Sequence, residues 1–197
     1  MKRFTQTTKW LASSLTLFVV MAVSVNAAAQ TYNLQSYQMK ISGSSNVHDW
    51  TMKAQNAKCN ANFVLNGANV ADLSALEFSM PVKGLKSEHD LMDERAYTTL
   101  KNEKAPNISF KLTSGEVAPQ GGNKYLIKAT GNLTIGGVTR GIVITTNGVL
   151  NSDKSISVTG KQKIKMSEFG IKPPTFMLGA MKVGDEVTVD FNMKFNG

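Results

Sequence analysis

Alternating apolar and polar residues, closely spaced turn signals and one interruption of helical period predict an all-β, antiparallel fold with one inserted α-helix. The alternation is longest near the C-terminus. There Val187, Val189, Phe191, Met193 and Phe195 interleave with Thr188, Asp190, Asn192 and Lys194. Ile156, Val158, Ile164 and Met166 share one parity, while Ser157, Thr159, Lys161, Lys163 and Lys165 hold the other. Shorter runs carry Tyr37, Met39 and Ile41, then Leu76, Phe78, Met80 and Val82, then Ile108, Phe110 and Leu112. Period two means one buried face and one wet face, whereas a covered parallel sheet reads as continuous apolar runs.

Turn residues separate these runs. Gly121-Gly122-Asn123 and Asn151-Ser152-Asp153 suit hairpin connections, and Gly136-Gly137 joins two further strands. Many strands at such spacing make a sandwich or a barrel, and closure removes exposed edges. The helix falls within residues 87–104, which hold neither Gly nor Pro. Met92, Ala96 and Leu100 recur every four residues there, Ser87 and Asp90 resemble a capping box, and Pro106 follows the end. About four turns are expected, enough to cover one mouth of a barrel.

The first residues are of another kind. Lys2, Arg3 and Lys9 precede an uncharged apolar run from Trp10 to Val25, and Ala27-Ala28-Ala29 offers the small residues of a cleavage site. This pattern predicts a signal peptide over residues 1–29, removal before Gln30, and export to the periplasm or beyond. The apolar run is shorter than the roughly 20 residues of a stable span, so no membrane span is expected after cleavage. What remains, residues 30–197, suits a single domain with a sizeable core.

Removing the three leader cations lowers the formal charge from +8 to +5. The remaining lysines are scattered rather than gathered into a stripe, which argues against a nucleic-acid partner. Cys59 is the sole cysteine, so no intramolecular disulfide and no cysteine-rich metal site can form.

Candidate chemistry is sparse. The two histidines each precede an aspartate, His48-Asp49 and His89-Asp90. Adjacent residues diverge on a strand and lie about 100° apart on a helix, so neither pair is a ready dyad. His89 and Asp93 have the spacing of a helix-surface pair. Ser44 or Ser45 beside His48 is the set a hydrolase reading would use. Neither a nucleophile-elbow motif nor a phosphate-cradling loop occurs. No catalytic residue, metal or cofactor is assigned. Ten methionines and nine phenylalanines suit either an ordinary core or a cavity for a pliable apolar ligand.

Several segments together resemble the YceI-like family. They are Gly43-Ser44-Ser45-Asn46-Val47-His48-Asp49-Trp50, Leu85-Lys86-Ser87-Glu88-His89-Asp90-Leu91-Met92 and Pro106-Asn107-Ile108-Ser109-Phe110. Farther on come Gly131-Asn132-Leu133-Thr134-Ile135-Gly136-Gly137-Val138-Thr139, then Phe169-Gly170-Ile171-Lys172-Pro173-Pro174 with Val183-Gly184-Asp185-Glu186-Val187. The resemblance implies an extended lipocalin-like antiparallel barrel with a helix over part of it, a periplasmic location, and non-covalent holding of a polyisoprenoid or related amphiphile. The stretch from Ser45 to Trp50 departs from the better-known branch, which leaves the ligand open.

The resulting expectation is a non-catalytic carrier of a long-chain apolar lipid, such as a polyprenyl or an isoprenoid quinone, with a homodimer compatible. His48 and Trp50 are expected near a mouth, with Phe78, Met80, Met92, Tyr97 and Phe110 as ligand-binding candidates. Trp50 and Tyr97 suit a mouth because each joins an apolar body to a polar tip. Burying a five-carbon isoprene unit gives roughly 3–4 kcal/mol against an association cost of about 4–15 kcal/mol, so several units must be enclosed. The alternative is a structural or interaction module of the cell envelope with a filled barrel core.

Overall fold

A computed structural model describes residues 28–197. The leader assigned to residues 1–29 lies outside them except for Ala28 and Ala29, which begin the first strand. In chain order the strands are β1 (Ala28–Ser45), β2 (Trp50–Ala54), β3 (Lys58–Asn66), β4 (Asn69–Pro81) and β5 (Leu85–Lys86), followed by helix α1 (Asp90–Thr99). Then come β6 (Asn107–Pro119), β7 (Lys124–Ile135), β8 (Val138–Leu150), β9 (Ile156–Lys165), β10 (Thr175–Phe176) and β11 (Met181–Asn196).

Eight of these strands form a closed antiparallel barrel in the order β1, β3, β4, β6, β7, β8, β9, β11, with β11 pairing back onto β1. The barrel and single helix are those expected from the alternation. Alternation is most regular in β7, where Tyr125, Ile127, Ala129, Leu133 and Ile135 are buried between exposed or half-buried neighbours. Outward positions carry cross-strand ion pairs, Lys161 with Asp190 at 3.1 Å and Lys163 with Glu186 at 2.8 Å. Such exposed pairs contribute well under about 1 kcal/mol each. Gly136 and Gly137, at φ 57° and 81°, make the two-residue turn that requires positive φ at both positions.

The walls are not regular throughout. Register slips where Gln35 is passed over in β1, Ala71 and Ser74 in β4 and Thr113 in β6, and the β1–β11 pairing is irregular again between Gly43 and Ser45. Each extra residue bends its strand and reverses the inward parity beyond it. The upper part of β1 pairs with β2 through Lys40–Lys53 to Gly43–Trp50, and β2 carries β5. This short flap extends the wall past the point where β3 leaves it.

One end of the barrel is filled. Tyr32, Phe63 and Phe195 meet edge to face at 5.4 and 6.1 Å between ring centres, and each is about 1 % exposed. The Tyr125 hydroxyl is buried beside them, accepting from the Val70 amide at 3.2 Å. The opposite end carries α1, the loop at residues 46–49, the flap and the segment between β9 and β11.

The helix is shorter than expected, ten residues rather than about four turns. Beyond Thr99 the chain tightens into turns, with Lys101 at φ 58°. Its entry also differs. His89 occupies the cap position, and the Ser87 hydroxyl is bonded to the backbone of His89. Asp93, not Asp90, reaches back to accept from the Ser87 amide at 2.7 Å. Asp93 is 3 % exposed and pairs with Lys86 at 3.2 Å, so it is not a surface partner of His89. Burial alone would raise the Asp93 pKa, but hydrogen bonds from Ser87 and Lys86 hold it below the usual carboxylate value.

A second carboxylate pins the hairpin between β8 and β9. Asp153 accepts from the Ser155 hydroxyl and amide and from Lys194, which lowers its pKa to about 2. A depressed pKa stabilises the fold above the unfolded value and loses that contribution as pH falls through the folded one. Asp153→Asn should therefore flatten the acid limb of stability between about pH 4 and pH 2. Thermal melts across that range are the check, and an unchanged acid limb would count against the assignment.

Candidate ligand-binding cavity

Between the aromatic floor and the helix the barrel encloses a cavity of about 490 Å³. That volume lies within the usual range for small-molecule sites. Phe63 and Phe195 form its floor. The walls take inward side chains from most barrel strands, among them Met39, Phe78, Phe110, Ile127, Leu133, Ile144, Ile164, Val189 and Phe191. Met92 and Ala96 line it from α1 and Leu100 from the residue that caps its end, on the face that their four-residue spacing defines. Polar groups gather near the mouth: Ser45, His48, His89, Arg95 and Thr99. Deeper down, Thr146 lines the cavity but its hydroxyl already donates to the Ile127 carbonyl at 3.3 Å. The arrangement is an apolar interior with a polar rim.

Six of the seven residues selected from sequence, His48, Trp50, Phe78, Met80, Met92 and Phe110, lie around this one space. Phe78 and Phe110 face each other directly across β4 and β6, and Met80 pairs with Ile108 beside them. The Trp50 indole covers Gly43 and donates to the Ser44 carbonyl at 3.2 Å, which fixes its ring at the rim. His48 is exposed on the loop after β1, and His89 is exposed at the start of α1. Tyr97 stands apart. It is 5 % exposed in a separate cluster with Met52, Val82 and Leu85, and its hydroxyl donates towards the carbonyls of Lys83 and Leu85. Its polar tip ties α1 to the flap rather than facing a ligand.

Of the set that a hydrolase reading would use, Ser45 is otherwise engaged. The Ser45 hydroxyl donates to the His48 carbonyl at 2.7 Å and accepts from the amides of Val47 and His48. Its proton is directed at backbone, not at an imidazole, so this serine shapes the loop. No cluster of three or more metal-ligating side chains occurs among the described residues.

Cys59 also lines the cavity, 3 % exposed, and burial pushes its thiol pKa up to about 12. At pH 8 roughly one molecule in ten thousand then carries the thiolate. A charged disulfide reagent should label Cys59 only after denaturation. Full labelling of the native protein within minutes would contradict the enclosed setting.

Sequence reasoning missed much of the lining. Cys59, Phe63, Ile127 and Leu133 alternate as regularly as the runs that were recognised, so period two alone could have added them. The segment after β9 contributes Ile171, Pro174, Phe176, Met181 and Val183, and it has no period to betray it. Within it Met177 and Leu178 both take left-handed φ, 53° and 54°. Bulky L-residues there cost about 1–2 kcal/mol each.

Comparison with known proteins places this architecture. Three solved structures share it: BcnA of Burkholderia cenocepacia, a polyisoprenoid binding domain from Saccharophagus degradans implicated in plant cell wall breakdown, and the YCEI protein of Campylobacter jejuni. The first is 18 % identical with a TM-score of 0.64, over 80 % of this chain and 95 % of its own. The second is 12 % identical with a TM-score of 0.63, over 86 % and 99 %. The third is 17 % identical with a TM-score of 0.51, over 100 % and 99 %. At such identities the likeness is one of fold. No curated protein matches the sequence. The model of the YceI-like domain matches residues 24–195, which is nearly the whole chain, and the protein belongs to the YceI-like family.

Proposed function

We infer that this protein is a non-catalytic carrier or sequestering protein that holds one long-chain apolar lipid inside its barrel. The cavity carries the reading: about 490 Å³ of apolar space, closed at one end by aromatic rings and opening at the other among polar groups. An interaction module would need no such space, because its core would be filled. The shape suits an amphiphile, tail inward and headgroup near His48, His89 and Arg95. An isoprenoid tail, as of a polyprenyl or an isoprenoid quinone, is the favoured cargo. The polyisoprenoid binding domain among the structural relatives supports that choice. The apolar leader supports export, with cleavage before Gln30 and action in the periplasm on residues 30–197.

Native mass spectrometry of protein purified from its own cell envelope, followed by solvent extraction, tests this directly. A stoichiometric extra mass that extraction identifies as a prenyl lipid is the expected result. Bare protein that stays empty after incubation with polyprenols and isoprenoid quinones would overturn it. The mass of the purified chain also reports whether residues 1–29 have been removed.

A further inference from the structure

Four large apolar side chains stand in solvent around the open end: Val47, Leu91, Met177 and Leu178, exposed by 62, 63, 73 and 110 %. They come from three segments that the structure ties together. The Asn46 side chain donates to the Ala180 carbonyl at 2.8 Å and accepts from the Lys182 amide at 2.7 Å. The Arg95 guanidinium lies 4.2 Å from the centre of the Phe176 ring, one helical turn beyond Leu91. Leu91, Phe176 and Met181 also line the cavity, so the exposed crown is continuous with the mouth.

The segment at residues 171–182 is the most unusual of the three. Its turn, closed by the Ala180 amide on the Met177 carbonyl, sets two bulky residues in left-handed backbone and buries neither. Packing does not explain their presence, since a small polar residue would serve the turn better. Bulky side chains held outward in strained backbone point to an external contact. The same segment carries Lys172 and Lys182, both exposed, and no acidic residue. The acids of the rim, Asp49, Glu88, Asp90 and Glu94, belong to the other two segments, Glu94 lying beside Phe176.

We propose that residues 171–182 dock on an anionic phospholipid bilayer, Met177 and Leu178 entering the acyl region while Lys172 and Lys182 meet the lipid phosphates. Two observations select this occupant. The apolar side chains protrude as separate tips, which suit a fluid medium that conforms to them rather than a rigid groove. The flanking lysines complement a negative surface, and the segment itself carries no acid to oppose it. The mouth then opens onto the bilayer. The further consequence, that a guest crosses from membrane to cavity without meeting water, rests on the carrier reading; the docking does not.

The test is co-sedimentation of the whole purified protein with vesicles of phosphatidylglycerol and phosphatidylcholine, against phosphatidylcholine alone, at low and high salt. Binding to the anionic vesicles, weakened by salt, is expected. Met177→Ser with Leu178→Ser should lower the bound fraction roughly tenfold or more at an unchanged melting temperature, given the apolar area lost. Wild type that stays in the supernatant, or a double variant that sediments equally well, overturns the proposal. So does a wild-type dimer that the double variant dissociates without any vesicle binding, which would make the crown a contact between copies. Guest retention by the double variant keeps the two readings apart. Retained guest with lost sedimentation is the expected pair, whereas a wild type that sediments but never holds a guest would sink the carrier and leave the docking standing.

Discussion

Phe78→Asp is expected to lower guest retention by roughly a hundredfold or more while the barrel stays folded. Phe78 is half-buried on β4 and faces the cavity, so an aspartate there can be hydrated while the cavity holds water. A lipid tail displaces that water. Stripping a carboxylate with no partner costs several kcal/mol, and each 1.4 kcal/mol is about tenfold in affinity. Phe78→Leu removes only apolar area and should keep affinity within about tenfold. Phe110, opposite at 5 % exposure, is a poorer place for the charge, because the same change would also threaten the fold. Lipid extracted per mole of protein, beside circular dichroism and a melting curve, reads both effects. A folded Phe78→Asp protein that purifies with its full complement of lipid would remove Phe78 from the lining.

A large stability loss from a single methyl group is expected at Gly131. This residue is buried in the middle of β7, opposite Leu112 on one side and Ile142 on the other. A β-carbon there would lie 2.4 Å from the Lys111 carbonyl oxygen and 2.5 Å from the Phe110 ring. The ring could rotate away, but the carbonyl belongs to the paired strand and could move only with it. Gly131→Ala should cost about 3 kcal/mol, near the upper end for overpacking. In a domain of this size that lowers the melting temperature by roughly 6–12 °C. Gly141, on the neighbouring strand, has nothing within 4 Å of the corresponding position. Gly141→Ala should be neutral or stabilising by a few tenths of a kcal/mol, about what reduced unfolded-state freedom provides. If both variants melted alike, the close approach of β6 to β7 would be wrong.

The register slips in β1, β4 and β6 explain how much of this molecule could be read from its residues. In β11 no slip interrupts the pairing with β9, and its inward residues were legible from Val187 to Phe195. In β1 the recognisable run starts at Tyr37, because passing over Gln35 puts Tyr32 and Leu34 on the opposite parity. In β4 the run from Leu76 to Met80 was plain, while Leu73 lies beyond the slip at Ser74. In β6 the run ends at Leu112, one residue before the slip at Thr113. Alternation shows a strand only while its phase holds, so the lower half of three walls was hidden. The meeting of Tyr32, Phe63 and Phe195 at the floor was hidden too, since pairing between distant strands gathers them. Tyr97 shows a second limit. An aromatic hydroxyl that satisfies backbone carbonyls and one that meets a ligand look alike in sequence, and the partners at Lys83 and Leu85 appear only in three dimensions.

The pairing that closes the barrel joins the first strand to the last, from Asn33 with Asn196 to Ser45 with Val183. These are contacts between opposite ends of the chain, and their formation carries the largest loop-closure entropy in the molecule. Hairpins such as β7–β8 can assemble as soon as their own residues are available, whereas the β1–β11 seam must wait for the sixteen residues of β11. Domains dominated by such distant contacts fold in milliseconds to seconds rather than microseconds. Until the seam forms, β1 and β11 each present an unpaired edge, and the apolar faces of the future cavity are open to other chains. The interval between synthesis and closure is therefore when this protein is most exposed to aggregation and proteolysis, and when a chaperone would contribute most.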